Sequence, residues 1–148
     1  MPRGSSTQLD THVLDRIIAH LDGNVADNVR AIAFNVEGKS KVNAPVDTSA
    51  LRNSHYTRTY RGAAQNGGNT SEAQIAATVQ GLNSGAEFVP LPVPANDHEA
   101  YVGPSVDYAI DVHFGTTRMT GRPYLADAVR DATDELEAAG RRICTDGR

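Results

Sequence analysis

Between Leu14 and Val36 apolar residues return every three or four positions, as Leu14, Ile18, Leu21, Val25, Val29, Ile32 and Val36. That spacing averages to the period of an α-helix. It predicts a first element from about Leu9 to Val42, with Asp10 or Thr11 able to cap its start. Gly23-Asn24 is a weak point where the helix can bend, but the apolar phase runs straight through it, so one long helix is expected. A helix of about 33 residues extends about 50 Å. A folded chain of this length has a radius of gyration of only about 15 Å. The helix must therefore kink, or overhang the domain and be covered from outside the chain.

The remaining chain is read more briefly. Pro45 stops the helix, and Asp47 or Thr48 can cap a short turn through Leu51 and Arg52. His55 to Arg61 reads as a strand with Tyr56, Arg58 and Tyr60 on one face and His55, Thr57, Thr59 and Arg61 on the other. Gly62 to Ser71 reads as a polar loop. Gln74 to Leu82 reads as a second strand, through the alternation of Ile75, Ala77 and Val79. Asn83 to His98 is a long connection stiffened by Pro90, Pro92 and Pro94. Ala100 to Gly103 is a short third strand, Tyr108 to Phe114 is ambiguous, and Gly115 to Gly121 is a turn-rich loop. Arg122-Pro123 opens a last helix whose apolar stripe is Leu125, Val129, Ala132, Leu136, Ala139 and Ile143. The expected fold is α+β in a single domain, 1–148. A long N-terminal helix precedes a small antiparallel sheet of three to four strands and a C-terminal helix packed on one face, with long loops.

Composition narrows the chemistry. No apolar run approaches the roughly 20 residues that cross a bilayer, and nothing near Met1 resembles a signal peptide, so the product is expected to remain in the cytoplasm where it is made. Cys144 is the one cysteine, which excludes an intrachain disulfide and a cysteine-rich zinc site. The formal charge of −4 is the wrong sign for a general nucleic-acid binder. No catalytic residues, metal ligands or cofactor are assigned. His98, Glu99 and His113 lack a ligand motif, and packed or solvated histidines are the commoner arrangement. Gly-x-Ser-x-Gly and a phosphate-binding loop are absent. Asp131, Asp134, Glu135 and Glu137 read as a solvated helix face. Arg52, Arg58, Arg61 and Arg122, with Tyr56 and Tyr60, are the candidate interface residues, because Arg and Tyr are enriched at binding hot spots.

Two segments carry a family resemblance. The first is Ala44-Pro45-Val46-Asp47-Thr48-Ser49-Ala50-Leu51-Arg52-Asn53-Ser54. The second is Val102-Gly103-Pro104, then Asp107-Tyr108-Ala109, Phe114-Gly115-Thr116 and Arg122-Pro123-Tyr124-Leu125. In this order the chain resembles the tail-completion, or head–tail joining, proteins of long-tailed bacteriophages. Ser49 stands where that family often has Gly, His113 where it has an acid, Gly121 where it has Ala, and Tyr124 where it has Phe.

The resemblance implies a structural virion protein of the neck. It would complete the tail and join it to the head as a homo-oligomeric ring of six copies. The implied partners are further copies of the chain, the tail tube or tail terminator protein, and the head-closure or connector proteins. DNA would pass through the ring without specific binding, and no membrane is involved. A tail terminator ring that stops tube polymerisation, or a head-closure protein, is the alternative within that class. A DNA-binding or packaging accessory factor is the alternative outside it, and salt-dependent DNA binding separates the two.

Overall fold

The computed structural model describes residues 11–45, 49–83 and 85–146. The first helix, α1 (Thr11–Asn43), is continuous through Gly23. The expected cap at Asp10 lies outside the described residues, as do Val46, Asp47 and Thr48. A short helix, α2 (Ser49–Ser54), follows. It leads into a four-stranded antiparallel sheet of β1 (Tyr56–Thr59), β2 (Gly62–Gln65), β3 (Gly68–Asn69) and β4 (Ala100–Gly103), in the order β3-β2-β1-β4. Between β3 and β4 lies α3 (Glu72–Leu82). After β4 come α4 (Ala109–Phe114), a two-stranded hairpin of β5 (Gly115–Thr116) and β6 (Met119–Thr120), and α5 (Tyr124–Asp146). The architecture is thus α+β, in the expected order of long helix, antiparallel sheet and C-terminal helix.

Three local expectations are corrected. The strand at Gln74 to Leu82 is helix α3. Ile75 and Val79 are one helical turn apart and both fully buried, so the same residues satisfy either period. Ser71 decides it. Its Oγ accepts from the Gln74 N–H at 3.3 Å, and Gln74 Oε1 accepts from the Ser71 N–H at 3.0 Å, a complete capping box.

The polar loop at Gly62 to Ser71 is a hairpin. Asn66 and Gly67 have φ of 54° and 78°, the left-handed pair that two-residue hairpin turns need. The first strand is also shorter than expected. Tyr60 and Arg61 form the turn into β2, with Thr59 opposite Gly62, so the face of Tyr56 and Arg58 does not extend to Tyr60.

The sheet is covered on both sides. Thr57 Oγ1 donates to Glu37 Oε2 on α1 at 2.8 Å, whereas the adjacent Tyr56 donates to Glu72 Oε1 on α3 at 2.9 Å. Neighbouring strand residues point to opposite faces, so α1 and α3 lie on opposite sides of β1. The main core gathers Leu51, Tyr56, Ile75, Val79, Val106, Ala109 and Tyr124. A smaller one joins Val36 of α1 to Ala128 and Ala132 of α5.

The burial of α1 departs from its apolar pattern. Its buried seam is Ala33, Val36, Glu37 and Ser40, small or polar residues that let the helix approach the sheet closely. From Asp15 to Asn28, every described side chain except Ala26 is exposed. Ile18 is 49% exposed, Val25 46% and Ile32 37%. The helix overhangs, and much of the stripe that announced it faces outward.

Candidate functional site

The two motif segments converge. Ser105, just after Pro104, donates from Oγ to the Ser54 carbonyl at 2.8 Å and from its N–H to the same oxygen at 3.2 Å. Both serines are fully buried. Leu51 from the first segment joins Tyr108, Val112 and Arg122 from the second around a cavity of about 530 Å³, which Pro45, Met119 and Thr120 complete. Tyr124 is buried beside His55, ring centroids 5.4 Å apart, and its hydroxyl reaches the Ala109 carbonyl at 3.5 Å. Burial pushes the Tyr124 hydroxyl up to about 12, so it remains a neutral donor.

Most motif residues build this junction. Ala44 is buried, and its carbonyl accepts from Arg52 Nη2 at 3.5 Å. Gly103 packs against Leu91, whose Cδ2 would lie 3.5 Å from a Cβ at that position. Ala109 is buried in the core, and Leu125 packs against both clusters. The Arg122 N–H donates to the Val112 carbonyl at 2.9 Å, and Pro123 then opens α5. Thr116 Oγ1 accepts from the Arg118 N–H at 3.3 Å.

Gly115 and Gly121 are sterically required. A Cβ on Gly121 would sit 2.4 Å from the Phe114 carbonyl carbon, and one on Gly115 would sit 2.5 Å from the Gly121 nitrogen. Gly115 also has φ +84°, a conformation that side chains disfavour. The hairpin is thereby pressed against the end of α4. Phe114 stands out from it, 78% exposed, next to Ile110 at 68%. These two side chains border an apolar groove of about 350 Å³ that reaches Val89, Val102 and Leu125.

The candidate interface residues divide. Tyr56 is fully buried; it donates to Glu72 and accepts from the Leu91 N–H at 2.7 Å, and burial raises its hydroxyl to about 12. Arg58 pairs with Glu72 at 3.2 Å. These two hold α3 and the Pro-rich connection onto the sheet, rather than forming the exposed Arg/Tyr face the alternation predicted. Arg52 is half-buried against Ala44. Tyr60, Arg61 and Arg122 are exposed, and Arg61 faces Asp97 at 3.4 Å.

His113 packs edge-on against Phe114 and Tyr124, at 4.7 and 5.3 Å between centroids. Glu99 accepts from the Ala95 N–H, and His98 is exposed. Among the described residues no group of three or more metal-ligating side chains forms.

Three features lay outside the sequence reading. Glu37 is fully buried on α1 and accepts from Lys41 Nζ at 2.6 Å, Thr57 Oγ1 at 2.8 Å and the Asn66 N–H at 2.9 Å. It ties the hairpin tip to the long helix. The Asn66-Gly67 pair was the available signal for that tip. The second feature is the exposed Ile110, which no periodicity distinguishes from core. The third is a groove of about 330 Å³ between α1 and α5, floored by Val36, Val102 and Leu125 and edged by Ile32 and Val129.

No protein-family model, curated protein or solved structure matches the chain. Among the described residues, no helix is long and apolar enough to cross a membrane.

Proposed function

We propose that this chain is a structural subunit of the virion neck in a long-tailed bacteriophage. In this reading it completes the tail and joins it to the head as a ring, in six copies, around the DNA channel. Its partners are its own copies, the tail tube or terminator on one side and the head-closure or connector proteins on the other. No reaction is assigned to it.

The observation that carries the reading is the convergence of the two motif segments. Residues 44–54 and 102–125, far apart in sequence, bond through Ser54 and Ser105 and enclose one cavity between Leu51, Tyr108, Val112 and Arg122. Segments that resemble one family in order also form one structural unit. The unpartnered apolar surface around Phe114, Ile110 and the α1–α5 groove supports an assembling subunit, since a monomer rarely leaves several such patches open.

Cryo-electron microscopy of intact particles carrying this chain tests the reading. Ring density in the neck that accepts the fold is the expected result. Its position against the last tube layer or against the connector would separate tail completion from head closure. Absence of the chain from mature particles would overturn the reading and shift weight to a DNA-handling factor, whose DNA binding should weaken steeply with salt.

A further inference from the structure

Among the described residues, the long helix carries an apolar stripe with no groove against it, and the α1–α5 face carries a groove with no helix in it. We infer that the two belong together between copies: the overhanging half of α1 from one chain lies in the α1–α5 groove of the next. The inference rests on the ring reading and names the surface by which its subunits join.

The stripe has the chemistry of a helix–helix seam. Leu14, Ile18, Leu21 and Val25 follow a 4-3 spacing, with β-branched residues alternating with leucines. Ile18 and Val25 are half exposed on a helix that is continuous through them. The sequence places Leu14 and Leu21 in the same register. The segment from Leu14 to Val25 covers about 17 Å of helix. Apolar side chains left exposed in line, as Ile18 and Val25 are, signal a partner.

The receiving surface is equally specific in shape. Two helices and a strand form it, with Val36, Val102 and Leu125 at its base and Val29, Ile32 and Val129 along its sides. A third helix fits such a trough by packing its ridges between those of the other two. Further along α5, Leu136 continues the apolar line and is 53% exposed.

The stripe cannot fill its own groove. Both lie on α1, the stripe at residues 14–25 and the groove wall at residues 29–36, and α1 is one unbroken helix. A helix with this stripe and a groove with this lining can therefore meet only between two copies. Each copy then presents one donor face and one different acceptor face. Such a contact is heterologous, and it repeats into a ring where its rotation closes and into an open filament where it does not.

The test is a complementation experiment on the full-length chain. One variant, Ile18→Asp with Val25→Asp, removes the stripe and leaves the groove. A second, Val129→Asp, blocks the groove and leaves the stripe. All sites are exposed, so circular dichroism spectra should match wild type. Mass is read by light scattering up to about 200 µM, which covers the micromolar affinities that small interfaces give.

Wild type should rise above its 15.8 kDa monomer mass with concentration. Each variant alone should stay at the monomer mass. Their equimolar mixture should form a one-to-one pair that grows no further, because one good donor and one good acceptor remain. A wild type that stays monomeric throughout overturns the inference. So do variants that still assemble, although the ring reading then survives with its interface elsewhere. Blocked variants that fail to complement each other indicate two α1 stripes pairing symmetrically, which also overturns it. Complementation by a chain absent from mature particles would leave this contact standing and remove the neck reading.

Discussion

Acid should destabilise this protein through His55. Its Nδ1 lies 2.8 Å from the Leu51 carbonyl, an oxygen that can only accept, so Nδ1 carries the proton. Nε2 is then a bare acceptor, buried and without a partner. Protonating it would place a charged N–H in an apolar pocket beside the Tyr124 ring. Burial is the main reason the His55 pKa falls from 6.5 to about 4. The Leu51 carbonyl opposes that shift, Lys41 adds to it, and Glu37 and the Arg52 backbone oppose it.

The folded value lies below the unfolded one, so the unfolded chain binds more protons between the two. Stability from neutral His55 is complete above about pH 6.5 and is lost as the pH falls toward 4. At 1.36 kcal/mol per pKa unit the full loss is about 3 kcal/mol, with about 2 kcal/mol gone by pH 5. That is a large part of the 5–15 kcal/mol typical of a domain.

Urea unfolding of wild type and of His55→Asn at pH 7 and pH 5 checks this. Asn keeps a donor near Nδ1 and does not titrate. The loss of the ring contact with Tyr124 lowers its stability at both pH values alike. Wild type should lose about 2 kcal/mol more than the variant between pH 7 and pH 5. Parallel losses in the two proteins would refute the reasoning.

Glu37→Ala should destabilise the fold by about 3–5 kcal/mol in urea melts, because the part-buried Lys41 ammonium loses its counter-charge and the buried Thr57 hydroxyl loses its acceptor. Amide exchange at Asn66 should speed up in the same variant, since its N–H loses that carboxylate. Gly121→Ala should cost about 1–3 kcal/mol through its clash with Phe114, whereas Gly38→Ala, in the helix interior with open space around it, should stabilise by about 0.5–1 kcal/mol. Thermal melts of the two glycine variants should therefore shift in opposite directions. Ser71→Ala removes the cap of α3 and should cost about 1 kcal/mol, with faster exchange confined first to the start of that helix.

Legibility in the sequence followed the range of the interactions involved. α1 and α5 were readable because a helix of over twenty residues repeats its period many times. β4 was readable from its short apolar run between polar turns. α3 was not, because Ile75, Ala77 and Val79 fit a two-residue alternation, while Ile75 and Val79 alone fit a helical turn. The capping box at Ser71 and Gln74 held the local answer. The Asn66-Gly67 hairpin was likewise written in turn chemistry rather than in apolar pattern. The motif residues were identified as a set, but not as a junction; nothing local says that Ser105 bonds to Ser54.

The sequence by itself determined that the long helix exists, that it outruns a domain of this size, and that its Gly23 does not break it. Only the tertiary structure decided which face of that helix is inside. Burial is decided by what packs opposite, and the sheet accepts the small and polar seam of Ala33, Glu37 and Ser40, because Thr57 and the Asn66 N–H bond to Glu37 there. Ile18 and Val25 are left outside: Ala26 turns the buried side of the helix inward at that level, and Val25 beside it faces outward. Tyr56 and Arg58 show the converse. Their alternation placed them on one face, but only the arrival of Glu72 and Leu91 from distant segments made that face interior.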